Sequence, residues 1–416
     1  MTDYLRSDQV LLAVQEQLQS LQVVDMHTHL FMPSLGSLGL SGIDELVTYH
    51  YLEAELFRSN PIQPAQYWAL PRQQQADLIW KTLFVENPPI SEATRGVVAV
   101  LQAFGLPTTA PDLVEARRWF AARTPNDHLT EVLRLAGVSD VVMTNDPLDP
   151  AEGPEWRKEP ERDPRFHPVL RLDRILNKWA DHWKILDSQG YLVSGDASGR
   201  SVGEVRRFLD EWCYLMKPVY MAVSLPDSFA FPENSLRAKL LDGAVLPACR
   251  DHGIPLSLMI GVRYLVNPAL RLAGDASGVA DLRALEYLCR EYPDNRFLVS
   301  LLSRENQHEL CVYARKFGNL MPFGCWWFLN NPSIVEEITR ERIEMLGASF
   351  IPQHSDARVL EQLIYKWKNT RRTLAPILAD TYQKLTDDGR AVSRDEIKQD
   401  VDRMFRNNFL VFVRNS

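Results

Sequence analysis

The chain has 416 residues, 45% hydrophobic and 24% charged, with ten tryptophans, which is enough for a large core and excludes wholesale disorder. Its 46 basic and 54 acidic residues leave a net charge of −8, so there is no basic field for nucleic acid or an anionic membrane, although a single small anion is still admissible. Cys213, Cys249, Cys289, Cys311 and Cys325 are odd in number and never form C-x-x-C, as expected of reduced residues in a cytoplasmic protein.

The first residues, MTDYLRSDQVLLAVQEQLQS, carry apolar positions at helical spacing and lack the basic start and apolar block of an export signal. Short apolar or β-branched runs then alternate with amphipathic stretches, the mark of β and α units in turn. The runs are Leu21–Met26, Val138–Met143, Phe166–Arg171, Val219–Leu225, Pro255–Gly261, Arg296–Leu302, Leu320–Trp326 and Ala348–His354. Eight of them, with helical patterns such as Val202–Leu215, Ser235–Asp251, Arg304–Phe317 and Pro332–Leu346 between, predict an α/β fold of the eightfold type, a (β/α)8 TIM barrel. An open doubly wound sheet is the alternative, but no G-x-G-x-x-G follows the first run and no phosphate-binding G-x-x-x-x-G-K-[ST] occurs. The uncharged stretch from Gly318 to Val335 contains Pro322, Gly324 and Pro332 and reads as buried strand and loop, not as a membrane span.

A long gap separates the first run from the second. Within it Ile43–Arg58, Pro64–Phe84, Ser91–Phe104 and Pro111–Ala122 read as helices, which places a helical insertion (36–135) after strand 1 of one domain spanning 1–416. Residues Asn145–Pro164, rich in proline and charge, read as a surface loop.

Asp25-Met26-His27-Thr28-His29 ends the first run. In an extended chain His27 and His29 share a face, and two imidazoles on a rigid strand suit Zn²⁺ or a similar divalent ion. Two partly exposed histidines at a strand end would be the plain alternative; the C-terminal end of a barrel strand, where such enzymes keep their sites, favours the metal. The eighth run continues as SFIPQHSDAR, with His354, Asp356 and Arg358 at alternating positions. Strand eight of a closed barrel neighbours strand one, so Asp356 completes a two-histidine, one-carboxylate set, unless it serves only as the N-cap of a helix beginning near Ala357.

These residues resemble the uronate isomerases, a divergent branch of the amidohydrolase superfamily. D-M-H-T-H is that superfamily's strand-one metal motif, HSDAR matches the branch's strand-eight aspartate followed by arginine, and Phe323-Gly324-Cys325-Trp326-Trp327-Phe328 is similar to its strand-seven segment. The likeness covers most of the chain, includes ELVTYHYL of the insertion, and is strongest to a compact bacterial subgroup. There are departures: VSLPDS follows run four without the superfamily's lysine, Met259 stands in run five where many isomerases have histidine, and LLSREN follows run six, which together argue against a binuclear site.

The resemblance implies isomerisation of D-glucuronate to D-fructuronate, and of D-galacturonate to D-tagaturonate, by proton transfer from C2 to C1 through an enediol. It implies one divalent ion, zinc, on His27, His29 and Asp356, with Asp356 also as the favoured base. A small uronic acid is then the partner, with no nucleic acid and no membrane, and a homo-oligomer is compatible with this size. Arginine's planar fork suits the substrate carboxylate. Arg171, at a predicted strand end, and Arg358 are the candidates, with an ion pair to Asp173 as the other use of Arg171. His50 and Tyr51 read from pattern alone as an aromatic helix face in the core; the resemblance gives them substrate hydroxyls or the enediol. Trp326 and Trp327 read first as core, with Trp326 the candidate wall for the sugar. Ser303, a predicted cap, is a candidate at the pocket rim, while His128, His182 and His252 read as surface residues. A metal-dependent hydrolase or decarboxylase, or a barrel that binds a sugar acid without turnover, are the competing functions.

Overall fold

A computed structural model describes residues 4–414. Its strands are β1 (Val23–Thr28), β2 (Val138–Met143), β3 (Phe166–His167), β4 (Leu170–Arg171), β5 (Met221–Pro226), β6 (Leu256–Arg263), β7 (Ala276–Ser277), β8 (Phe297–Leu301) and β9 (Leu320–Pro322). One sheet has the order β1-β2-β3 and the other β4-β5-β6-β8-β9; every pairing is parallel except that of the short β7 with β6. The fold is thus mixed α/β with parallel sheets, the arrangement that needs a covered crossover between strands.

Two of the eight predicted runs are interrupted for the same reason, a missing backbone donor, and the seventh is shorter, ending as β9 at Pro322. Pro168 has no N–H for the ladder, and the third run is divided around it into β3 and β4. Pro352 interrupts the eighth run, which keeps one parallel bridge, Phe323 to Ile351. Hydrogen bonds nevertheless join the sheet ends. Asn145 bridges to Leu170, and Gly324 N–H donates to Ile351 O at 2.8 Å. Asp356 N–H donates to His27 O at 3.2 Å, and His29 N–H to Ala357 O at 2.7 Å.

All six residues of β1 are buried, as expected of a strand covered on both faces. Alternation divides the strand side chains between two apolar clusters. Val23, Met221, Val223, Leu256, Leu258, Phe297 and Val299 pack outward with the helices. Val24, Met26, Ala222, Met259 and Leu298 pack inward with Tyr220, Phe323, Trp326 and Trp327.

The predicted helical stretch after β1 is present in shorter pieces. Ile43–Val47 and His50–Ser59 are separate helices, followed by Pro64–Trp68, Arg72–Trp80, Glu92–Ala103, Val114–Ala121 and Pro125–Ala136. Ser91 and Thr124 cap the helices that follow them through backbone N–H donors of Thr94 and Asp127. Within the expected surface loop Asn145–Pro164 lies a helix, Glu152–Arg157, that buries Trp156 against Glu152, whose Oε1 accepts from the indole at 3.1 Å. All five cysteines are buried and free of disulfides. No helix of the described residues is long and apolar enough to cross a membrane.

Candidate active site

β1 carries His27 and His29 to its C-terminal end, where each ring is oriented by a hydroxyl from elsewhere in the chain. Tyr220 Oη donates to Met26 O (2.7 Å) and lies 3.1 Å from His27 Nδ1. Its proton is therefore committed, and it accepts from His27 Nδ1–H. Thr144 repeats the device: Oγ1 donates to Thr28 O (2.7 Å) and accepts from His29 Nδ1–H at 3.0 Å. Fixing the proton on Nδ1 leaves both Nε2 atoms bare, the tautomer a metal ligand needs. Burial, with further contributions from neighbouring charges, pushes His29 down to about 4 and His27 well below its ordinary range, so both rings are neutral near pH 7.

The bare nitrogens converge on Asp356. Its Oδ1 lies 3.2 Å from His29 Nε2 and 3.8 Å from His27 Nε2, and it has no hydrogen-bond donor among the described residues. One ligand atom from each of the three residues falls within 4.8 Å of the others. Three acceptors facing one another, two of them buried and His29 half-buried, require a shared proton or a cation, and the two-imidazole, one-carboxylate set suits a divalent ion. Burial opposes ionisation of Asp356, yet a proton shared with the facing imidazoles, together with the Arg358 charge, outweighs it and holds the carboxyl below its usual range.

The segment carrying Asp356 is not a strand. Asp356 has φ +52°, and the following helix begins at Gln362, so the expected alternation of His354, Asp356 and Arg358 on one face, and a helix cap at Asp356, are both absent. Other groups hold the segment. Asp25, pushed up to about 6 by burial, accepts from Ser355 N–H (3.0 Å) and from the Trp367 indole (2.8 Å). His354 lies against His27, ring centroids 5.3 Å apart, and beside Gly324, where a Cβ would come within 1.8 Å of His354 Nδ1.

Of the two uses expected of Arg171, the ion pair with Asp173 is present. Its Nε and Nη2 pair with Asp173 (2.8 and 3.2 Å), while Nη1 lies 3.5 Å from His29 Nδ1. Arg358 makes no ion pair among the described residues, and its Nε is buried without a partner. His50 is buried with an unpartnered Nε2 and packs edge-on to Trp327 at 5.7 Å. Tyr51 is half-buried, its phenol pushed well up by burial, with Lys366 Nζ 5.5 Å from its ring. Trp326 and Trp327 are both buried, but β9 has already ended at Pro322; alternation along a strand does not apply, and Trp327, at φ +48°, is the one that meets His50. The Ser303 hydroxyl is committed to Glu305, whose backbone N–H it caps at 3.2 Å and to whose carboxylate it donates.

His252 is exposed and His182 half-buried, whereas His128 is a correction: it is buried and its Nε2 meets the fully buried Glu361 at 2.6 Å. Its partner lies far along the chain, so no local signal marks the pair. Tyr220, Thr144, Asp25 and Lys366 also went unmarked in the sequence for that reason.

A parallel strand that presents two neutral imidazoles, facing a carboxylate and free arginine and histidine nitrogens from other segments, makes a candidate metal site in an α/β enzyme. No protein-family model matches the chain, and no curated protein sequence does. Solved structures do. A uronate isomerase from Bacillus halodurans C-125 is 50% identical with a TM-score of 0.96, covering 99% of this chain and 98% of that one. The chain belongs to the uronate isomerase family. A uronate isomerase from Thermotoga maritima (17% identity, TM-score 0.78, 99% and 100% covered) and a glucuronate isomerase from Caulobacter crescentus (13%, 0.69, 98% and 94%) share the fold.

Proposed function

We propose that the protein interconverts uronic acid aldoses and their ketoses, D-glucuronate with D-fructuronate and D-galacturonate with D-tagaturonate. The observation that carries this reading is an ionised carboxylate, Asp356, two residues from Arg358, a guanidinium with a buried, unpartnered Nε. Isomerisation needs both a base for C2–H and a fixed positive charge for the enediolate that forms.

In the open-chain substrate Asp356 removes the C2 proton and returns it to C1, while the O2 hydroxyl proton passes to O1. Arg358 and the His50–Tyr51 pair face the oxygens on which negative charge develops; burial keeps the Tyr51 phenol protonated and thus a donor. Arg171 contributes its Nη1 edge to the substrate, its other edge being held by Asp173. Trp326 belongs to the apolar wall of the pocket, and Ser303 to its rim. His27, His29 and Asp356 would hold one divalent ion, zinc by the preference of this donor set, and when bound it supplies Lewis-acid polarisation of a substrate oxygen. Met259 at β6, in place of an imidazole, disfavours a second ion and with it water activation for hydrolysis.

The same reading extends to the architecture. The bridges through Asn145 and Ile351 and the bonds from Asp356 and to Ala357 support the two sheets as arcs of one closed (β/α)8 barrel in a single domain, 1–416, with 36–135 as an insertion. Free, buried cysteines fit a cytoplasmic location. The test is NMR of purified protein with D-glucuronate and D-galacturonate. Appearance of the ketose resonances is the expected result; no turnover of either acid, or release of carbon dioxide, would overturn the reading.

A further inference from the structure

The pocket has an outer part that the chemistry above does not use. A cavity of about 440 Å³ is lined at depth by Tyr49, His50 and Arg358 and at its exposed edge by Trp68, Arg72 and Arg271. Arg271 stands on the loop after β6, whose turn Pro268–Gly274 packs against the helices His50–Ser59 and Pro64–Trp68. The loop therefore crosses from the sheet to the helices that follow β1, and the Trp68 indole pins it by donating to Ala269 O at 2.8 Å.

We propose that Arg271 is the capture residue for the substrate's carboxylate: a guanidinium held at the pocket mouth so that an incoming sugar acid meets a free positive charge before it reaches Arg358. This rests on the reading of the protein as an isomerase of uronates.

Three features distinguish Arg271 from an ordinary surface arginine. Its guanidinium lies 4.4 Å from the centroid of the Trp68 ring and makes no ion pair among the described residues. Stacking fixes the planar group while leaving its N–H edge open to a carboxylate. Second, its backbone has φ +53° and ψ −130°, a region that only glycine enters freely, so a side chain is retained there against strain. The turn is over-determined by Asn267 N–H to Gly274 O (3.0 Å) and Leu265 N–H to Asp275 Oδ1 (2.7 Å). Third, the other charges of the mouth are already engaged. Arg72 pairs with Glu45 at 3.3 Å, and Glu53 accepts from Tyr67 at 3.1 Å, its carboxyl pushed up to about 7 by burial. Arg271, whose charge reaches Glu53 without forming an ion pair among the described residues, is left as the cation of the exposed edge with its N–H edge open. In a protein of net charge −8, a local positive field is what an anionic substrate requires for productive approach.

The test compares the full-length, metal-supplemented protein with Arg271→Gln, Arg271→Lys and Arg271→Gly, measuring kcat and KM for D-glucuronate from about 20 to 300 mM NaCl. Arg271→Gln should lower kcat/KM about tenfold through KM, leave kcat within about twofold, and flatten the salt dependence. Arg271→Lys should recover most of the loss and the salt slope. Arg271→Gly, which relieves the strain, should raise Tm yet show the same KM defect as glutamine. Wild-type kcat/KM and salt slope in Arg271→Gln would overturn the proposal, as would a defect that glycine repairs, since that would make the role one of loop conformation. Absence of turnover by the wild-type protein would fail the isomerase reading and this inference together; turnover with an unaltered Arg271→Gln fails the inference alone.

Discussion

The candidate site joins two kinds of backbone. On one side β1 and β2 form a parallel ladder, and each histidine is fixed by a hydroxyl whose own proton is committed to a strand carbonyl. On the other, residues 352–357 form no ladder and meet the end of β1 through Asp356 N–H to His27 O and His29 N–H to Ala357 O, and Asp356 sits in the left-handed region at φ +52°. The difference teaches that rigidity is divided by task. The paired imidazoles draw precision from regular structure; the carboxylate draws it from a few buried hydrogen bonds, above all those of Asp25, around a strained residue.

The strongest way to break this comparison is at the carboxylate. Asp356→Asn keeps size and most contacts while removing the base, and should lower kcat about 10³-fold with the fold intact by circular dichroism. Activity near wild type would move the base elsewhere. Next comes Asp25→Ala, which strands two buried donors, Ser355 N–H and the Trp367 indole, and should cost about 2–4 kcal/mol in urea unfolding. A loss below about 1 kcal/mol would show that the segment holds itself without Asp25.

On the strand side, Thr144→Val removes the hydroxyl that orients His29, and Tyr220→Phe the one that orients His27. Each should weaken zinc binding about 10- to 100-fold in a competition titration and, by leaving an Nδ1–H without its partner, cost about 1–3 kcal/mol in urea unfolding. Unchanged affinity would mean that the strand alone fixes the rings. The smallest effect is expected away from both regions, at Glu53. Its folded value, about 7, lies above that of an unfolded glutamate, so ionisation destabilises the fold progressively as pH rises through that interval and fully above it. Glu53→Gln keeps an acceptor for Tyr67 and should raise Tm more at pH 8.5 than at pH 5, as scanning calorimetry can measure; equal shifts at both would contradict the assignment.

What sequence reading could reach follows the same division. Periodicity located the second run to the residue and the first two residues early at each end, and H-x-H with its strand was legible because its two histidines are two residues apart. Proline effects were the main misreading: Pro168 and Pro352 remove donors inside runs whose composition is otherwise that of a strand. The carboxylate was legible as a residue but not as a geometry, since a positive φ at aspartate has no compositional mark. Tyr220, Thr144 and Asp25 act through partners remote in the chain or through burial, and His128 looked like surface because its partner, Glu361, lies beyond any local window. The Arg171–Asp173 pair, by contrast, was visible from spacing alone.

The central claim is that Asp356 carries a proton from C2 to C1 of a uronate. It is tested most directly by running the reaction with D-glucuronate in deuterated water and locating deuterium in the ketose by NMR. The account predicts deuterium at C1 of D-fructuronate in wild-type protein, and no such product beyond background with Asp356→Asn. Ketose formed with the C2 hydrogen wholly retained at C1, even after long incubation, would contradict it and indicate hydride shift instead.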